Sequence, residues 1–137
     1  MTADIRVVAR RRDGYAHEVE IDSGHTLVID EPVDRDGTDL GPSPTRAAAA
    51  GLAACTAITC EMYAAMKGWE LGAVECEVEI DQGPGSSFEE ITVTLRIPET
   101  ITDEQRDRLL VIAGKCPVHR ALSGETEVVI HDRIESG

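Results

Sequence analysis

Apolar and polar positions alternate along several stretches of the chain and give way to a helical repeat in others. Ile5–Ala9 reads as a short strand, His17–Ile21 and Thr26–Ile29 as two more, with turns at Asp13-Gly14 and at Ser23-Gly24. Together they predict an N-terminal three-stranded meander. Pro32–Pro44 is rich in Asp, Gly and Pro and reads as a loop. Ser43 then suits an N-cap and Pro44 a first helical turn, which predicts a helix over Thr45–Lys67 that stops at Gly68. Its middle, AAAAGLAACTAITC, is small or apolar on every side, the pattern of a helix buried all round. A chain of this size can hardly cover such a helix alone, so a partner subunit is expected.

The second half alternates more cleanly. Val74, Cys76, Val78 and Ile80 fall on one face, with Glu75, Glu77 and Glu79 on the other. Gly83–Ser87 turns the chain, and Ile91, Val93, Leu95 and Ile97 predict the second strand of an antiparallel hairpin. Thr102 with Gln105 three positions on is a capping-box pattern for a helix running to about Ala113. Pro117 opens a short helix that ends at Ser123-Gly124, and Thr126–Ile134 reads as a last strand. The order βββ-α-ββ-αα-β is α+β, with no repeat and no linker, so one domain over residues 1–137 is expected.

Composition narrows the partners. The chain has 137 residues, 42% hydrophobic and 28% charged, with a net charge of −13. That balance fits a soluble globular domain and disfavours nucleic acid or an anionic membrane as partner. Arg10-Arg11-Arg12 is too short to reverse it and reads as a solvated strand end. The N-terminus, MTADIRVVARRRDG, lacks the apolar core of a secretory signal, and Ala47–Cys60 falls short of the ~18 residues of a membrane span. A cytoplasmic location follows as an expectation, with the four cysteines reduced at rest. There is no C-x-x-C, and the histidines are scattered without ligand-like spacing, so no metal site is predicted.

The cysteines carry the candidate chemistry. A reactive cysteine needs a lowered pKa, which a helix N-terminus or nearby cations supply. Cys76 lies on the apolar face of its strand and reads as core. Cys60 follows Cys55 by five residues, or ~500° of helix, which leaves the two side chains ~140° apart, too far to bridge. By pattern alone, Cys55 and Cys60 read as helix-packing residues rather than nucleophiles. Cys116 directly precedes Pro117 and so occupies an N-cap, with Lys115, His119 and Arg120 beside it in KCPVHRAL. Spacing leaves it open whether this is a tuned thiol or a small capping residue.

Two segments together resemble the OsmC/Ohr family of thiol peroxidases. GPSPTRAAAAGLAACTAITCEMYAAMKGW (Gly41–Trp69) is similar to the family's first cysteine segment, and KCPVHRALSG (Lys115–Gly124) to its second. The resemblance implies an α+β fold with antiparallel sheets packed around a long buried Ala-rich helix in an intertwined homodimer. It implies Cys55 as peroxidatic cysteine and Cys116 as resolving cysteine, close enough to bridge without large backbone movement, with Cα atoms within about 7 Å or one short helix shift of that. It also implies reduction of organic hydroperoxides or hydrogen peroxide without metal or organic cofactor. A thiol reductant such as a dihydrolipoyl protein would reopen the disulfide. One departure stands out. Hydroperoxide-reducing members carry a Glu after the leading proline, whereas this chain has Thr45 and Arg46. Arg12, in Arg12-Asp13-Gly14, looks like the family's active-site arginine and also reads as a surface residue. Arg46 lies nine residues, ~180° of helix, before Cys55. The missing acid favours a rival reading, a non-catalytic protein of the same fold that binds a small apolar ligand at the dimer interface. A third, a structural protein using its acidic surface, has no motif behind it.

Overall fold

The structure is a computed structural model and describes residues 3–22 and 24–137. The chain divides into two compact units, the first ending at Ala50 and the second running from Gly51 to Gly137.

The first unit is the expected meander, a three-stranded antiparallel sheet in the order β1 (Val7–Asp13), β2 (Ala16–Ile21), β3 (Thr26–Ile29). β1 starts two residues later than predicted and runs on through Arg10-Arg11-Arg12. Its exposed face tolerates the charges, and Arg10 pairs with Glu20 across the ladder at 2.7 Å. Arg11 faces His17 and Asp13 faces Ala16, so Arg12 is the extra residue of a β-bulge beside the hairpin turn. The turn itself places Gly14 at φ 53°. Of the second predicted turn, Ser23 lies outside the described residues.

The loop after β3 is organised by one buried carboxylate. Asp30 accepts hydrogen bonds from the Thr38 hydroxyl (2.6 Å), from the backbone N–H of Thr38 and Leu40, and from that of Glu31. Those bonds hold its pKa below the usual carboxylate range, the Thr38 hydroxyl contributing most. A Cβ at Gly41 would collide with the Val28 carbonyl, so only glycine lets the loop run this close to β3.

α1 (Pro44–Lys67) begins and ends where the sequence predicts. Ser43 Oγ accepts from the Arg46 N–H, and Gly68 takes φ 72° beyond the last turn. Leu52, Thr56, Cys60 and Ala64 are buried, a single stripe at spacings of four. Within the single chain the helix is covered on one side only, and the expectation of burial all round depended on a partner subunit. Ile58, Met62 and Met66 are 49%, 70% and 73% exposed, because one chain supplies cover for only one side. At 24 residues and mean hydropathy 1.3, α1 is longer than the apolar run suggested, and by length and composition alone could cross a membrane. Cys60 and Ala64 instead place it in the core of the second unit.

That core gathers Cys60, Ala64, Leu71, Leu109 and Ile112, flanked by Tyr63, Trp69, Val74 and Leu95. β4 (Glu75–Gln82) and β5 (Phe88–Arg96) form an antiparallel hairpin with the predicted alternation. The inward face of β4, Cys76 included, is half-buried rather than fully enclosed. α2 (Asp103–Ala113) starts with both capping-box bonds, Gln105 N–H to Thr102 Oγ1 (3.1 Å) and Thr102 N–H to Gln105 Oε1 (2.9 Å). α3 (Pro117–Leu122) follows at once, and Gly124 takes φ 78°.

The predicted last strand, Thr126–Ile134, is not formed. A strand needs a neighbouring strand to take its backbone N–H and C=O groups; among the described residues none lies alongside, and the Thr126 N–H bonds instead to the Arg120 carbonyl (3.3 Å). Val128, Val129, Ile130 and Ile134 stand largely in solvent. The observed order is therefore βββ-α-ββ-αα, two antiparallel sheets and one long helix, an α+β fold.

Candidate active site

The site is built where α1 meets the start of α3. α1 carries Cys55 one residue before the buried Thr56, so its side chain sits at the margin of the covered stripe and is half-buried. α2 ends at Ala113, and the backbone turns through Gly114 and Lys115, with the Lys115 N–H bonded to the Ile112 carbonyl (2.9 Å). Pro117, with no N–H to satisfy, then starts α3 and leaves Cys116 as its N-cap. The Cys116 carbonyl accepts the first helical bond, from the Arg120 N–H at 3.0 Å. Cys116 itself is fully buried.

Cys55 and Cys116 are joined by a disulfide, with Cα atoms 5.8 Å apart across a sequence separation of 61 residues. The expected closeness holds, and the expectation of four reduced cysteines is corrected: Cys55 and Cys116 are paired, and only Cys60 and Cys76 are free. Lys115 and Arg120, the cations beside Cys116 in sequence, are both exposed, so solvent screens their effect on either sulfur.

The other two cysteines are free. Burial, with smaller contributions from the nearby Cys76 and Glu61, pushes the Cys60 thiol up to about 11. Its Sγ points to the Leu109 carbonyl at 3.7 Å. Burial also raises Cys76. Neither is a thiolate at neutral pH.

Arg12 belongs to the first unit, exposed in its bulge at the hairpin tip. Arg46 donates through Nη1 to Ser43 Oγ (3.2 Å), so its side chain is occupied in capping its own helix. Two further residues stand near the paired cysteines in sequence: Thr56, which sequence reading left aside, and His119, which it took only as a charged neighbour of Cys116. Thr56 follows Cys55 and is wholly enclosed, and His119 follows Cys116 by three. Thr56 Oγ1 and His119 Nδ1 are buried and find no hydrogen-bond partner among the described residues. The signal for Thr56 was a hydroxyl at the Leu52-Thr56-Cys60 spacing, where a plain core helix would carry a hydrocarbon.

Comparison with known proteins gives the family and the fold. The profile of the OsmC-like protein family matches residues 37–131, a span that holds both cysteine segments. No curated protein matches the chain. Among solved structures, the OsmC-like protein from Mycoplasma pneumoniae aligns with TM-score 0.75 at 20% identity, over 90% of each chain. The organic hydroperoxide resistance protein from Elizabethkingia anophelis aligns with TM-score 0.66 at 25% identity, over 90% of this chain and 91% of that one. For the organic hydroperoxide resistance protein OhrB of Bacillus subtilis the values are 0.61 and 25%, over 89% and 92%. With more than half of its length matched by the family profile, and both cysteine segments inside the match, the chain belongs to the OsmC-like protein family.

Proposed function

We propose that this protein is a cysteine-based peroxidase that reduces organic hydroperoxides, and hydrogen peroxide with them, through Cys55 and Cys116. The observation that carries the reading is the Cys55–Cys116 disulfide, with its Cα atoms 5.8 Å apart. It is the oxidised product such a cycle would leave. The two hydroperoxide resistance proteins at 25% identity support a peroxide-related redox role.

The half-burial of Cys55 and the full burial of Cys116 support taking Cys55 as the attacking thiol and Cys116 as the resolving one. The Cys55 thiolate attacks the distal peroxide oxygen, the O–O bond breaks, and the leaving alkoxide or hydroxide takes a proton. Cys55 is left as sulfenic acid. The Cys116 thiol attacks that sulfur, water leaves, and the disulfide forms. A dithiol reductant, for which a dihydrolipoyl protein is the candidate, reopens it by thiol–disulfide exchange. Arg12 is the candidate cation that lowers the Cys55 pKa and stabilises the developing oxyanion. Its support is the resemblance of Arg12-Asp13-Gly14 to the family's arginine segment. The cycle as written uses no metal and no organic cofactor.

The same reading includes a homodimer, a cytoplasmic location where a thiol reductant is at hand, and one OsmC-like domain over residues 1–137. The profile match runs across the Ala50/Gly51 boundary, which supports a single domain. Exposed Ile58, Met62 and Met66 on α1 support a partner subunit.

Thiol titration tests the reading. After reduction and removal of reductant, one equivalent of cumene hydroperoxide should consume two thiols per chain, and peptide mapping should place them at Cys55 and Cys116. No thiol loss would return the reading to a non-catalytic binding protein. Steady-state rates with cumene hydroperoxide, a fatty-acid hydroperoxide and hydrogen peroxide then rank the substrates.

A further inference from the structure

Inside the second unit lies a cleft of about 710 Å³, within the size range of small-molecule sites. Much of its wall is apolar: Val93 and Leu95 of β5, Ile97 just beyond it, Leu109 and Ala113 of α2. Thr56 and His119 line it as well, and they bring to it the two buried polar atoms that lack partners. Thr56 is entirely enclosed. A buried hydroxyl or imidazole nitrogen without a partner costs free energy, and native structures rarely leave one so. An apolar cleft with two such atoms is completed by an apolar molecule that carries a hydrogen-bonding head.

The head's charge follows from the surroundings. The charged side chains lining the cleft, Glu99 and Arg106, are both exposed, and Arg106 has Asp103 at 3.9 Å. Among the described residues no Lys or Arg is buried with Thr56 and His119 to neutralise an anion, and the chain carries −13 overall. Enclosing a carboxylate there would cost far more than enclosing a hydroxyl. A hydroxyl both donates and accepts, as does Thr56 Oγ1, while His119 Nδ1 does one or the other according to its tautomer.

We propose that this cleft is a binding site for an uncharged, largely apolar molecule bearing a hydroxyl head, held at that head by Thr56 and His119. The class includes the alcohol left when an organic hydroperoxide is reduced. That link rests on the peroxidase reading, whereas the binding itself is measured without turnover, so the two fail separately.

The probe is 1-octanol, titrated into the full chain in its disulfide form and followed by calorimetry and amide chemical shifts. Saturable binding is expected, with shifts at β5, α2 and α3. Thr56→Val, which keeps the shape and removes the hydroxyl, should weaken binding about fivefold, as should His119→Leu, the loss of one hydrogen bond each. Octanoate should bind more weakly than octanol. Melting temperatures report whether the variants fold, and where His119→Leu does not, Thr56→Val decides. Absence of octanol binding would overturn the proposal. So would unchanged affinity in Thr56→Val, or tighter binding of octanoate than of octanol.

Discussion

Cys55, half-buried on α1, is bonded to Cys116, fully buried at the N-cap of α3. On the peroxidase reading, Cys55 is the attacking thiol and Cys116 the resolving one. Cys55→Ser should abolish turnover while the protein stays folded. Cys116→Ser should still consume one peroxide, then accumulate sulfinic and sulfonic acid at Cys55, because the sulfenic acid has no partner. Mass spectrometry after stepwise addition of peroxide distinguishes the two. If Cys60→Ser is as inactive as Cys55→Ser while still folded, the nucleophile is misassigned.

The same bond closes a loop of 61 residues. In the chain-entropy model, closing a loop of that length stabilises by about 4 kcal/mol, less where native strain or residual unfolded structure intervenes. Reduction should therefore lower the melting temperature by many degrees, and the doubly substituted Cys55→Ser/Cys116→Ser chain should melt like the reduced protein. A melting temperature indifferent to reductant would mean that the thiols are unpaired in solution.

Cys60 gives a pH signature. Its thiol is raised from 9.0 to about 11 by burial, followed by the charges of Cys76 and Glu61. In the unfolded chain the same thiol ionises near its ordinary value. Its contribution to stability is thus fully present below pH 9 and lost as pH rises towards about 11, where only the unfolded state has released the proton. Cys60→Ser should remove that component of the alkaline decline and keep peroxidase activity per folded molecule. Its cost, roughly 1–3 kcal/mol, should appear in denaturant melts. Cys76→Ser should cost less, because Cys76 is only half-covered.

The boundaries of α1 and α2 were legible because their signals are local. Ser43 and Pro44 before α1, Gly68 after it, and the Thr102/Gln105 pair act within one turn and need no knowledge of neighbours. Alternation likewise gave the face of β4. It gave the wrong element at Thr126–Ile134, since period two fixes which residues share a face and says nothing about which strand takes the hydrogen bonds. Helix spacing ruled out a Cys55–Cys60 bridge but could not pair Cys55 with Cys116, whose meeting depends on the turn between α2 and α3. Only resemblance supplied that pairing. The cleft was invisible for a related reason: Thr56 and His119 become its polar end only once β5 and α2 stand opposite them.

Asp30 should govern the acid limb. Its pKa is lowered chiefly by the Thr38 hydroxyl, so the stability it contributes is present above the ordinary value of 3.8 and lost as pH falls below it. Thr38→Val should move that loss to higher pH. Limited proteolysis of the loop between Glu31 and Leu40, followed across pH 2–6 (about the range of carboxylate titration), reports it directly. Identical acid profiles for Thr38→Val and the unaltered chain would show that the Asp30 network does not order the loop.

The last prediction concerns the partner subunit. Ile58, Met62 and Met66 recur every four residues and so form one stripe along α1, each about half-exposed or more. The apolar run Val128–Ile130 and Ile134 is exposed in the same unit. A soluble monomer rarely shows this much large apolar side chain in contiguous form, and an α-helix covered on one side only leaves its other face a surface for a second copy. The chain should sediment as a dimer at micromolar concentration, with an apolar interface of more than ~2,000 Å² in total. Met62→Glu places a charge in the middle of the stripe, where burial in an interface would leave it unpaired. It should shift the dimer towards monomer by at least 3 kcal/mol or so, while circular dichroism retains the helical signal. Val129→Asp should weaken association as well if the C-terminal run shares the interface. A stable monomer for the unaltered chain, or a Met62→Glu chain that sediments as the original does, would show that the stripe faces water.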